Sequence, residues 1–245
     1  MLIICVFGCV TVPKYAAEIR KISSTWASNL DSSVKVLFFL GEEKVNEFFG
    51  DRYIYLPGVK NDYMSASYKQ FLGLKYIREH YNPDFVHCCG TDTFVNIPKM
   101  MQFLAKFDSS QPLYIGGHGD SRTLLGHPCY FHSGGPGFIL SRASVHRLYP
   151  FYTRLTDKWI NVCMQSSAHS LIPACDVAIA FFLQRYVSDV LVVKTNDLSF
   201  IYCNHRGSPC HPNQIDMRTI ISCHSMSLAD CDDFYAILLQ NRFFV

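Results

Sequence analysis

The sequence contains no block of like charge: 22 Lys and Arg stand against 20 Asp and Glu, the formal net charge is +2, and the basic residues are scattered. The long-range field that gathers a polyanion is therefore missing, which argues against nucleic-acid binding as the main role. Nor is there an apolar run long enough for a membrane span. The opening stretch, Met1 to Val12, is far shorter than the roughly 20 residues a bilayer helix needs, and it lacks a cationic leader. It reads as a buried first strand. Internal repeats, low-complexity tracts and long linkers are absent too, so the 245 residues are expected to form a single domain. The turn after the first strand, Gly8-Cys9-Val10-Thr11-Val12-Pro13, lacks the spaced glycines a dinucleotide pyrophosphate requires, which speaks against a dehydrogenase.

What is present begins with 11 cysteines, an odd number in a chain too large to depend on disulfide stapling. Cys88 and Cys89 are adjacent and would point to opposite faces of a strand, so they read as core thiols rather than a metal or redox pair. The run Cys203-Asn-His-Arg-Gly-Ser-Pro-Cys210-His211 has ligand types that could hold zinc, although its spacing matches no standard zinc site.

Along the chain, apolar runs alternate with amphipathic segments. Leu2 to Val10, Val34 to Leu40, Tyr53 to Leu56 and Phe85 to Cys89 read as buried strands, and Pro13 to Trp26 and Ser65 to His80 as helices. In the second helix Tyr68, Phe71, Leu72, Tyr76 and Ile77 form a stripe of period about 3.6, ended by Asn82-Pro83. Further on, Ile97 to Lys106 predicts a helix, Leu113 to Ile115 and Gly137 to Leu140 strands, Ala143 to Tyr152 a helix, and Asp176 to Val187 the last strong helix. This order predicts an α/β fold, a mostly parallel twisted sheet flanked by helices, with ligands beyond the carboxyl ends of the strands. Two lobes, about 1–100 and about 101–245, would share one cleft.

Four segments could carry chemistry. Asp92, in Gly90-Thr91-Asp92-Thr93, is a carboxylate on a short loop between a strand and a helix, the kind of oxygen ligand a hard divalent cation needs; a turn-forming or capping role is the plainer alternative. In Ser133-Gly134-Gly135-Pro136-Gly137-Phe138 the glycines let the backbone approach a ligand closely, or simply make a tight turn. Asp176 precedes an apolar helical run and could take a proton from an attacking hydroxyl, or act as an N-cap. His224, in Ser222-Cys223-His224, could ligate a metal or be structural. Gly116-Gly117-His118-Gly119-Asp120 reads as a polar turn. Tyr63, Tyr130, Phe131, Tyr149, Phe151 and Tyr152 could stack on sugar faces or belong to the core.

Taken in order, these segments resemble glycosyltransferase family 31, the Fringe, β1,3-galactosyltransferase and core 1 galactosyltransferase group. The likeness covers most of the chain and includes the first strand leading through Thr11-Val12-Pro13 to Ser24-Thr25-Trp26, like the Thr-Trp that ends that family's first helix. The resemblance implies a GT-A fold, a UDP-sugar donor, a manganese (or magnesium) cofactor, inversion at the anomeric carbon and a glycan or glycoprotein acceptor. Residue by residue, it implies Asp92 and His224 as metal ligands, Asp176 as catalytic base, and Thr11, Thr91, Asp92, Gly134 and Gly135 as donor-binding positions. Gly90 and Thr91 stand where the family's aspartate triplet has its leading acids. The expected location follows the chain's extent: a soluble protein without signal or anchor, cytoplasmic if full length, and in the Golgi lumen if an excised catalytic region. A nucleotide-sugar or carbohydrate-binding module of weakened catalysis is the alternative.

Overall fold

A computed structural model describes residues 1–117, 119–195, 200–201 and 220–240. Its central sheet has seven strands: β1 (Leu2–Phe7), β2 (Val34–Leu40), β3 (Tyr53–Tyr55), β4 (Phe85–Cys89), β6 (Leu113–Gly116), β9 (Phe138–Ser141) and β10 (Leu191–Lys194), in the order β10-β6-β9-β4-β1-β2-β3. β9 runs antiparallel to both its neighbours, and the other pairings are parallel. Because β6, β9 and β10 come after residue 100 and β1 to β4 before it, one sheet joins these two stretches of the chain.

Strand alternation sorts the core into two layers. Leu2, Ile4 and Val6 face one side, where they meet Ile19 and Ile22 of α1 (Pro13–Ser24), Met100 and Leu104 of α3 (Ile97–Leu104) and Phe234 and Leu238 of α7 (Leu228–Gln240). Ile3 and Cys5 face the other, against Phe71, Leu74 and Ile77 of α2 (Ala66–His80), Val145 and Leu148 of α4 (Arg142–Leu148), Leu155 and Trp159 of α5 (Tyr152–Gln165) and the apolar run of α6 (Cys175–Tyr186). Cys88 lies in this second layer and Cys89 in the first, so the two adjacent thiols are core residues on opposite faces.

Several expectations are corrected. The α2 stripe is rotated: Phe71 and Ile77 are buried, but Tyr68, Leu72 and Tyr76 are only partly so, while Ser67, Lys69, Gln70 and Gly73 are buried. Gly73 decides this, since a Cβ there would stand 2.9 Å from the Phe39 ring, and its absence lets the helix lie close on the sheet. The segment after Ala143 does not end at Tyr152. The chain turns through a short 3₁₀ stretch at Tyr149–Phe151, where Pro150 needs no backbone donor, and continues as α5. The last helix is α7 rather than α6: Ser227 and Asp230 form a reciprocal capping pair at its start, the Ser227 hydroxyl donating to Asp230 Oδ2 at 2.6 Å and the Asp230 N–H to Ser227 Oγ at 3.1 Å.

Five shorter strands complete the frame. β7 (Gly119–Leu124) and β8 (His127–His132) make an antiparallel hairpin, and its turn places Leu125 at φ 51° and Gly126 at φ 74°. A second small sheet, ordered β11-β12-β5, pairs β12 (Ser222–Cys223) antiparallel to β5 (Phe94–Val95) and parallel to β11 (Phe200–Ile201). This sheet carries the tail of the chain back to the end of β4.

Candidate active site

At the carboxyl ends of β1 and β4 lies a cavity of about 420 Å³. Gly90, Thr91 and Asp92 after β4, Gly134 and Gly135 in the turn before β9, Asp176 in the first turn of α6, and His224 after β12 all line it. Thr11 does not: its side chain is exposed, with the hydroxyl 3.5 Å from the Asn61 carbonyl. The zinc-like run Cys203 to His211 and His118 lie outside the described residues. Cys223 is disulfide-bonded, immediately before His224. Of the aromatic residues considered for stacking, Tyr63 lines the cavity and is 64% exposed, whereas Tyr152 is core.

Asp92 and His224 are 132 positions apart in sequence, and the β5–β12 pairing joins them. The Asn96 N–H donates to the Ile221 carbonyl at 2.8 Å and the Met226 N–H to the Asp92 carbonyl at 3.0 Å, which clamps the tail onto the loop from both sides. His224 Nε2 then stands 3.3 Å from Asp92 Oδ2. Burial pushes the Asp92 carboxyl up, but the bond to His224 and its charge, a backbone N–H and Lys14 outweigh it and hold the group below the usual carboxylate range. On the other side of the imidazole, Ser225 Oγ is 3.2 Å from Nδ1, a contact that fixes the ring.

This arrangement fits a divalent cation in part. One carboxylate oxygen and one imidazole nitrogen are suitable donors, and adjacent ligands of a six-coordinate ion with bonds of about 2.1 Å lie about 3 Å apart. Ser225 holding Nδ1 is the outer contact that leaves Nε2 for the ion. Among the described residues, no group of three or more His, Cys, Asp or Glu side chains could hold a metal ion. Remaining positions would have to come from ligand oxygens, water or other groups.

The glycine pair has a packing reason beyond backbone freedom. A Cβ on Gly135 would fall 2.4 Å from His224 Nδ1, and one on Gly134 would fall 3.0 Å from Asp176 Cβ. Gly135 thus makes room for His224 and Gly134 for Asp176. Gly134 also donates its N–H to Asp176 Oδ2 at 2.8 Å, and the Val177 N–H lies 2.8 Å from Oδ1. Ala174, not Asp176, is the N-cap of α6, so the N-cap alternative is corrected to a place in the first helical turn. Burial raises the Asp176 carboxyl above its ordinary value, against the backbone N–H groups of Gly134 and Val177 that lower it. A carboxylate so placed is a stronger base than one in water, and each oxygen keeps a further lone pair.

Two residues here had no sequence signal. Lys69 is 1% exposed yet lines the cavity, its ammonium 2.9 Å from Cys9 Sγ and 3.2 Å from the Asp62 carbonyl. Gln70 donates to the Cys175 carbonyl at 2.7 Å and so ties α2 to the start of α6. Both sit on α2 at positions that the apolar stripe assigns to solvent.

The fold is of the GT-A type found in glycosyltransferases. Similar solved structures include a glycosyltransferase involved in the glycosylation of the major capsid of PBCV-1 (TM-score 0.52, 10% identity, covering 96% of this chain and 98% of that one) and the glycosyltransferase GlyE of Streptococcus pneumoniae TIGR4 (TM-score 0.53, 12% identity, 98% and 62%). The Fringe-like family model matches residues 58–198. The chain belongs to the Fringe-like family. It is also similar to chondroitin sulfate synthase 3 of Mus musculus, 30% identical over 181 residues, and to that of Homo sapiens, 30% over 179; each match covers 64% of this chain. The matched part spans 20% of the length of these relatives. No described helix is long and apolar enough to cross a membrane.

Proposed function

We propose that the chain transfers a sugar from a UDP-sugar to a hydroxyl of a glycan or glycoprotein acceptor, with a divalent cation, manganese or magnesium, and with inversion at the anomeric carbon. The observation that carries this reading is the convergence of Asp92, His224 and Asp176 on one cavity at the carboxyl end of the sheet. Asp92 and His224 would hold the cation, and Thr91, Gly134 and Gly135 would line the donor. When bound, such an ion neutralises charge developing on the diphosphate leaving group.

Asp176 acts as base. Its carboxylate takes the proton of the acceptor hydroxyl while that oxygen forms a bond to the anomeric carbon and the carbon–phosphate oxygen bond breaks. Gly134 and Val177 keep the carboxylate oriented through the reaction. The first hundred residues would form most of the donor side and the remainder most of the acceptor side, and exposed Tyr63, in the first stretch, offers a face for a sugar ring in the cleft. The names of the curated relatives, synthases of a sulfated glycan, agree with a saccharide acceptor.

One observation favours a second reading, a nucleotide-sugar-binding module of weakened catalysis: Gly90 and Thr91 contribute no carboxylate beside Asp92. A single panel separates the two. UDP-glucose, UDP-galactose, UDP-N-acetylglucosamine, UDP-xylose and GDP-sugars are tested by thermal shift and by hydrolysis of labelled donor, with manganese and with chelator. The transferase reading expects both metal-dependent stabilisation and turnover with one UDP-sugar. Stabilisation without turnover in the presence of saccharide acceptors supports the module, and no response to any donor refutes both.

A further inference from the structure

Helix α1 carries one acidic residue that an exposed helix face does not explain. Glu18 is 6% exposed, and its Oε2 accepts a hydrogen bond from the Thr91 hydroxyl, in the residue next to Asp92. Its countercharge is Lys14, one turn earlier on α1, with Nζ at 3.7 Å and a side chain 70% exposed. A buried carboxylate with so weakly placed a cation is expensive to keep. It persists where something else in the site uses the charge.

Geometry indicates what that is. A second cavity, of about 400 Å³, lies behind the Asp92 loop and is lined by Glu18, Lys14, Asp92 and the Ser225 to Leu228 segment. Asp92 and Lys14 border both this cavity and the donor cleft. Glu18 therefore approaches the Asp92–His224 pair from behind, with Thr91 between.

We propose that Glu18 is a positioning residue that supplies the cation site, through Thr91, with the second negative charge its own loop lacks. This inference rests on the proposed role of Asp92 and His224 as cation ligands. One carboxylate and a neutral imidazole leave a divalent ion undercompensated. Glu18 reduces that deficit without entering the inner shell, which agrees with the absence of a three-residue ligand group among the described residues. The Thr91 hydroxyl spends its proton on Glu18, so its oxygen lone pairs are free to face the ion or an ion-bound water.

The test is a manganese titration of the full chain, followed by the EPR signal of the free ion, with and without UDP. Glu18→Gln keeps the shape and an acceptor for Thr91 but removes the charge; manganese affinity is expected to fall by about tenfold or more, the range seen for outer-shell partners. Its metal-free melting temperature should be unchanged or raised, whereas a purely structural role predicts a loss. Gly90→Asp places a carboxylate in the loop itself, where a Cβ meets only Asp92 Oδ1 at 3.1 Å. In the Glu18→Gln background it should restore manganese binding, which repair of a packing defect would not do. Wild-type affinity in Glu18→Gln overturns the inference, and the proposed function stands if Asp92→Asn still loses binding. A wild-type chain that binds no manganese overturns both. Should Glu18→Gln not fold, Thr91→Val cuts the same link, and unchanged affinity in that variant refutes the proposal.

Discussion

Replacing Asp176 with asparagine separates chemistry from binding. Asparagine keeps the volume and one carbonyl oxygen, so one of the bonds from the Gly134 and Val177 N–H groups survives. The other is lost, at about 1 kcal/mol, and against this the burial of a charge is relieved. The two effects oppose each other, and a net stability change within about 1 kcal/mol shifts the melting temperature by no more than about 4 °C in a chain of this size. Transfer, by contrast, loses its proton acceptor. General-base catalysis contributes typically 10²–10⁴-fold, so kcat should fall by that factor, about 3–5 kcal/mol of barrier, with donor affinity within about twofold of wild type.

The pH profile provides an independent check. Wild-type kcat/KM should decline in acid as Asp176 is protonated, at a pH above the ordinary Asp value of about 3.9, because burial raises this carboxyl. Folding stability responds with the corresponding sign. The folded state holds this proton more tightly than the unfolded chain, so stability from Asp176 is greatest below about 3.9 and declines as pH rises to the folded value. The asparagine variant should lose both the acidic limb and this slope. Initial rates with a labelled donor, together with melts across the pH range, measure them. A variant retaining more than about a tenth of wild-type kcat, or the same acidic limb, would refute the assignment of Asp176 as base.

Gly135→Ala drives a methyl to 2.4 Å from His224 Nδ1; it should displace the imidazole and abolish metal-dependent donor stabilisation, and a manganese titration matching wild type would contradict the packing argument. Gly134→Ala meets Asp176 Cβ at 3.0 Å and should lower kcat more than donor affinity. Chelation should remove the donor-induced rise in melting temperature and added manganese restore it, while Asp92→Asn should lose most of that response at any manganese concentration tested. His87 and His132 are both held at about 4 by burial, against about 6.5 unfolded, so each takes up its proton on unfolding first. Stability should therefore fall as pH drops from about 6.5 towards 4, by up to about 3 kcal/mol per histidine. His132→Leu should remove about half of this loss in acid melts, and an unchanged slope would exclude His132 as a source.

Much of the fold was legible in the sequence because its elements are locally encoded. Val34–Leu40 and Phe85–Cys89 occupy the spans their apolar runs predict, and α1 begins at Pro13, where proline costs no backbone hydrogen bond. The Ser227-Leu228-Ala229-Asp230 cap was equally local, but α7 went unpredicted because Asp230, Asp232 and Asp233 interrupt its apolar stripe. The expected helix ran straight through Pro150 and ended at Tyr152, whereas the chain bends at this proline and continues as α5.

For the site, the residue types and their order along the chain could be read directly, but their mutual placement could not. No local pattern says that β12 pairs with β5, and this long-range pairing alone puts His224 beside Asp92. The same holds for burial of charge. Lys69 and Glu18 look like ordinary solvated residues on amphipathic helices, and only the packing of α2 and α1 against the strand ends turns them towards the cleft and the Thr91 loop. Local sequence determined which segments are strands and helices and which residues could do chemistry. The tertiary structure decided which of them meet, because that depends on contacts between residues far apart in the chain.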